Sequence, residues 1–198
     1  MQCSLLSKLN LVVFLMTSTL KSSVTSSLHC CSVETVPSSS SDSEGLFALG
    51  MYELNEETSV RKGGIALYDR ETLITNRTMA SGVLDMKFHG NLLACAMSSG
   101  DVELLQFDRN TQDFVTQDSG ISNPDEGLAL SLDWNRGEGE EAKLAVSTQE
   151  GSVMVYDLLS TGMQQSHFLQ NVHSLFGENI PAWITAFNPH NPMVSSVE

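Results

Sequence analysis

Acid–base chemistry in this chain would fall to three side chains: His173, Glu178 and Asp133. An imidazole is suited to taking a proton at neutral pH, and a nearby carboxylate can orient it or share its work. His173 is followed five positions later by Glu178, just ahead of Trp183, and Asp133 stands beside Trp134. Each also has a purely structural reading. His173 would be a loop histidine bonded within its own unit, and Asp133 a carboxylate used in packing. The other histidines are His29, His89, His167 and His190. There is no G-x-S-x-G elbow, which argues against a serine hydrolase of the α/β type. No HExxH and no cysteine–histidine cluster occurs, so no metal site and no cofactor are expected.

The elements that must position these residues read as short strands. "LFALGMYEL" (46–54), "GGIALYD" (63–69), "LLACAMSSGDVELLQFD" (92–108) and "KLAVSTQEGSVMVYD" (143–157) alternate apolar residues around turns. Gly100 lies seven residues after Leu93, and Gly151 seven after Leu144, where a hairpin turn needs a positive φ. Tyr68-Asp69, Phe107-Asp108 and Tyr156-Asp157 close three strands alike, each Asp being placed to bond a turn. "LDMKF" (84–88), "LSLDW" (130–134) and "WITAF" (183–187) open the units, with a fainter copy at "SVETV" (32–36). No helical stripe appears.

A repeat of this kind predicts wedges that cover one another's faces around an axis. The expected fold is all-β: a partial WD-type β-propeller of about three and a half blades, truncated, behind a non-matching N-terminal leader. The domain reading is a leader over 1–27 and an incomplete propeller over 28–198, with "PSSSSDSE" (37–44) as a polar linker or loop. The aromatics Trp134, Trp183 and Phe187 are expected to act as core wedges. The usual Gly-His pair is absent, and Tyr or Phe replaces Trp at the end of the third strands.

The formal charge of −14 sits almost wholly in the body, because 23 of the 24 acidic residues follow residue 41. Such a body repels phosphates, which disfavours nonspecific nucleic-acid binding, and no nucleic-acid partner is expected. The apolar run from Leu9 to Met16 is too short to span a bilayer, so no membrane partner is expected. Its form resembles a secretory signal's apolar segment, and Asn76-Arg77-Thr78 is a sequon, so secretion is the alternative to a cytoplasmic location. Among Cys3, Cys30, Cys31 and Cys95 there is no CxxC pair. Cys95 reads as a core residue, and a reducing compartment is expected.

"VLDMKF" (83–88), "LALSLDWN" (128–135) and "AWITAFN" (182–188) together resemble the WD-repeat diphthine methyl-esterases, also named diphthine methyltransferases, of diphthamide biosynthesis. "SVET" (32–35) followed by "LFALGMYEL" resembles that family's opening blade, with Thr35 where a Trp normally stands. The resemblance spans roughly 28–198 and the N-terminal half of a family member. It implies a carboxylic ester hydrolase. The implied protein substrate is translation elongation factor 2 carrying a methyl ester on its modified histidine. His173 and Glu178 are similar to an "H…E-A-W" arrangement of the family, although Pro181 stands where an acidic residue is expected. The alternative is a noncatalytic WD-repeat scaffold whose rim holds other proteins.

Overall fold

The computed structural model describes residues 10–12, 23–37, 45–121, 127–135, 141–188 and 190–197. Most of the 1–27 leader, nearly all of the 37–44 linker and Cys3 lie outside these residues. Among the described residues there is no α-helix, and no helix is long and apolar enough to cross a membrane.

Three antiparallel sheets of four strands repeat along the chain. Blade one is β3 (His29–Thr35), β4 (Leu46–Asn55), β5 (Val60–Asp69) and β6 (Thr72–Met79). Blade two is β7 (Val83–His89), β8 (Leu92–Met97), β9 (Val102–Asp108) and β10 (Asp113–Ile121). Blade three is β11 (Ala129–Trp134), β12 (Lys143–Thr148), β13 (Val153–Leu159) and β14 (Gly162–Leu169). A two-stranded start of a fourth follows in β17 (Thr185–Asn188) and β18 (Asn191–Val197). Between β14 and β17 stands a small hairpin, β15 (Ser174–Leu175) with β16 (Glu178–Asn179). Ahead of blade one, β1 (Asn10–Val12) pairs with β2 (Ser23–Thr25). "LDMKF" and "LSLDW" therefore belong to separate sheets, in β7 and β11, as expected for neighbouring wedges of a partial WD-type propeller.

The hairpin turns form as the glycine spacing predicts. Gly100 and Gly151 have φ of 93° and 73°, and their amides close the turns onto Met97 O (2.9 Å) and Thr148 O (3.2 Å). The Asp at the end of β9 bonds a turn, as Asn110 N donates to Asp108 Oδ1 at 2.8 Å. Asp157 does something different: it pairs with Lys143 Nζ at 2.5 Å across the β12–β13 ladder, and β13 continues two residues beyond it.

That pair, together with a 3.0 Å bond from Ser166 Oγ, holds the Asp157 carboxyl below its ordinary range. The Lys143 hydrogen bond leads, outweighing slight desolvation, with His167 adding a smaller pull. A depressed native pKa gives stability that is present above the unfolded value near ~3.9 and lost as pH falls through the native value. The stability gap between wild type and Asp157→Asn is thus expected at about pH 6 and should close below about pH 4. Thermal melts at both pH values test it, and a gap that does not change with pH would refute it.

The core lies between the sheets. Ile65 and Leu67 of blade one meet Met86, Leu93, Cys95, Leu105, Phe107 and Phe114 of blade two. Ala94, Ala96, Val102 and Leu104 of blade two meet Leu132, Trp134, Leu144, Val146, Met154 and Tyr156 of blade three. Cys95 is fully buried, and burial pushes its thiol far up, so it packs as a small apolar residue. The opposite face of blade one, with Phe47, Leu49, Met51 and Tyr68, is met by Val24 and Leu28 from the segment before β3.

Each blade has the fourth, outermost strand that a four-stranded wedge requires, although apolar alternation marks only the first three. β14 is largely exposed, and in β6 only Met79 is buried, so neither carries the pattern of a strand covered on one face. One reading needs correction. Trp183 is no core wedge, being 64% exposed beside Ile184 at 56%. Ala182 N bonds Thr148 O at 3.1 Å and buries the Ala182 side chain. β17 begins only at Thr185, so Trp183 and Ile184 point outward. Trp134 is buried at 8% exposure, and Phe187 is half-buried.

Candidate functional site

The innermost strands of successive blades, β3, β7, β11 and β17, lie side by side, each in contact with the next. The outer strands of neighbouring blades touch more sparsely than the inner ones, as in a wedge. Polar side chains cross between the inner strands at every step. Lys87 Nζ pairs with Glu34 Oε1 at 2.5 Å, joining β7 to β3. Asp85 Oδ2 accepts from Leu132 N (3.0 Å) and Ser131 Oγ (3.1 Å), and Trp134 Nε1 donates to Lys87 O (3.1 Å), joining β11 to β7. Asp133 Oδ2 accepts from Phe187 N at 2.7 Å, joining β17 to β11.

Lys87 stands in a field of carboxylates. Partial burial works against its charge. The Glu34 hydrogen bond and the charges of Glu34, Asp85 and Asp133 outweigh that and hold its pKa above the ordinary value. Lys87 is therefore a fixed cation here and no proton acceptor at neutral pH. The thiol of Cys31 is raised by burial first, then by Cys30 and Asp85, so it is a poor nucleophile.

The three candidates read from the sequence lie apart in role. His173 Nδ1 is 2.8 Å from Pro181 O, and a carbonyl only accepts, so Nδ1 is the donor of this bond. Its backbone is also engaged, His173 N donating to Gly151 O (3.2 Å) and Ile180 N to His173 O (3.1 Å). Glu178 is exposed on β16, opposite Leu175. Asp133 spends one carboxylate oxygen on Phe187 N. A shallow hollow on the edge of blade two, lined by Asn91, Arg109, Val115 and Thr116, contains none of the three. Among the described residues no cluster of three His, Cys, Asp or Glu could hold a metal.

Sequence reasoning missed Glu34, Asp85 and Lys87. The signal was available in the repeat itself. Glu34, Lys87 and Asp133 each sit opposite an alanine of the second strand, Ala48, Ala94 and Ala145, so they occupy one position of successive units.

Asp85→Ala leaves Leu132 N and Ser131 Oγ without their charged acceptor at a half-buried contact. The expected loss is about 2 kcal/mol, in the range for hydrogen bonds to a charged group. Urea denaturation measures it. A loss no greater than that of an exposed Asp→Ala control would count against the role of Asp85 in joining the blades.

No protein-family profile matches the chain. It is 32% identical over 122 residues to the diphthine methyltransferase of Schizosaccharomyces pombe (strain 972 / ATCC 24843), a match covering 58% of this chain and 36% of that protein. The chain thus spans well under half the length of that relative. Among solved structures it is similar to Sqt1 from Chaetomium thermophilum (TM-score 0.63, 14% identity, 86% of this chain and 40% of that one). A chain of the COPII outer coat vertex on membranes is also similar (TM-score 0.67, 13% identity, 99% and 51%). At that identity the likeness is one of fold, and it agrees with the three four-stranded wedges: this chain is built as part of a WD-type β-propeller.

Proposed function

We propose that this chain acts in diphthamide biosynthesis, in hydrolysis of the methyl ester of methylated diphthine on translation elongation factor 2. The observation that carries the reading is the 32% identity over 122 residues to a diphthine methyltransferase. The motifs that prompted it, "LSLDWN" and "AWITAFN", fall largely on β11 and β17, two of the inner strands. In the reaction a water oxygen bonds the ester carbonyl carbon, the bond to the methoxy oxygen breaks, and methanol leaves with a proton. That step needs a base for water and donors for the oxyanion. In this chain Nδ1 of His173 is turned to Pro181 O, so Nε2 is the ring nitrogen that would serve the first task. A cytoplasmic location is part of the same proposal.

One observation favours a second reading, a noncatalytic scaffold for proteins. Asp133 and His173 are both held in bonds that tie the fold together, and Glu178 stands apart on a surface hairpin. Incubation of the chain with elongation factor 2 carrying methylated diphthine separates the two. Release of methanol, with the factor lighter by one CH2 as its ester becomes an acid, supports the hydrolase. Binding without release supports the scaffold, and neither binding nor release overturns the hydrolase.

A further inference from the structure

The connection from β14 to β17 (170–184) is far longer than its counterparts, 80–82 between blades one and two and 122–128 between blades two and three. It is also firmly held. His173 N bonds Gly151 O (3.2 Å), Ala182 N bonds Thr148 O (3.1 Å), Ile180 N bonds His173 O (3.1 Å), and the His173 ring bonds Pro181 O (2.8 Å). These bonds dock its base on the β12–β13 turn and leave the β15–β16 hairpin projecting.

The tip of that hairpin is unusual. Its two-residue loop has both members at positive φ, Phe176 at 53° and Gly177 at 86°. Such a loop favours Asn-Gly, and a bulky side chain in the left-handed region is an outlier. Phe176 is also 98% exposed, with Leu175 at 54% and Val172 at 43% beside it. The tip therefore carries two unfavourable features at once, backbone strain and a bare aromatic ring, where asparagine would remove both. Strain of this kind points toward function. The surroundings indicate a charge preference. From Leu144 to Glu198 the chain has no lysine or arginine, while Glu178 stands across the ladder from Leu175 and Glu150 lies in the turn beneath.

We propose that Phe176, with Leu175, is a preformed anchor that inserts into an apolar socket rimmed by basic residues on the protein substrate. The occupant is elongation factor 2, so the inference rests on the function proposed above. The anchored base means that little freedom is lost on docking, and an aromatic ring entering a desolvated socket is the kind of contact that dominates an interface.

Phe176→Asn tests this, because it should improve the fold while removing the anchor. The expected result is a melting temperature raised by about 3 °C and affinity for the factor carrying methylated diphthine weakened roughly tenfold or more. Binding is read by interferometry and size by gel filtration. A wild type that binds the factor and a Phe176→Asn variant that binds as tightly would overturn the anchor alone. A wild type that does not bind the factor would overturn the anchor and the proposed function together. If Phe176→Asn instead dissolves a dimer of this chain, the tip is a self-association contact and the proposal falls.

Discussion

Phe107→Ala is expected to destabilise the chain by about 4 kcal/mol, the range for removing a phenyl ring from a packed interior. Phe107 is 1% exposed and packs against the rings of Phe114 (5.4 Å, tilted) and Phe88 (6.5 Å, edge-on). Aromatic pairs of this kind add about 1 kcal/mol beyond their buried area. The surrounding wall is drawn from two sheets, with Ile65 and Leu67 on one side and Leu93, Cys95 and Leu105 on the other. Backbone ladders hold both walls, so they cannot collapse into the space left behind. The damage falls on the contact between blades one and two as much as on blade two. Phe107→Leu keeps most of the volume and should cost about 1.5 kcal/mol. Urea titration of both variants provides the check. A Phe107→Ala loss below about 1 kcal/mol would mean that the two sheets do not share this core.

Gly151→Ala is expected to cost about 3 kcal/mol, by two separate routes. The left-handed φ of 73° alone disfavours any side chain by about 1 kcal/mol. In addition, a methyl group there would meet Ile180 O at 2.5 Å and His173 O at 2.6 Å. Those are backbone atoms of a segment that His173 N and Ala182 N bond to Gly151 O and Thr148 O of the turn, so relief requires the 170–184 connection to lift away. Gly90→Ala isolates the first route, because its φ is 59° and nothing lies within 4 Å of the added methyl. It should lose only about 1 kcal/mol. The two variants are compared by thermal melting and by limited proteolysis. Equal losses, or an unchanged cleavage rate within 170–184, would show that the connection is not docked on Gly151.

Several parts of this fold were legible because local chemistry demanded them. The hairpins around Gly100 and Gly151 follow from alternating apolar residues and a glycine where φ must be positive. The burial of Cys95 follows from its place in an unbroken apolar strand. The fourth strands were not legible, because a strand at the outer edge of a wedge, such as β14, is wet on most of its length and shows no alternation. Trp183 misled for the opposite reason. A large aromatic ring suggests a core, and only the bond from Ala182 N to Thr148 O reveals which neighbour is turned inward.

Sequence alone settled most of the unit: its three inner strands, where their hairpins turn, and that the unit recurs. It also marked His173, Glu178 and Asp133 as the groups able to move protons. Tertiary structure decided what those groups touch. Asp133 meets the amide of Phe187, His173 is tied to Pro181, and Glu34 reaches Lys87 only because two inner strands lie side by side. The division has a simple cause. Alternation and turn residues act over a few bonds along the chain, so they can be read in order. The meeting of residues far apart in sequence depends on the angle at which one twisted sheet packs on the next, and no short segment encodes that angle.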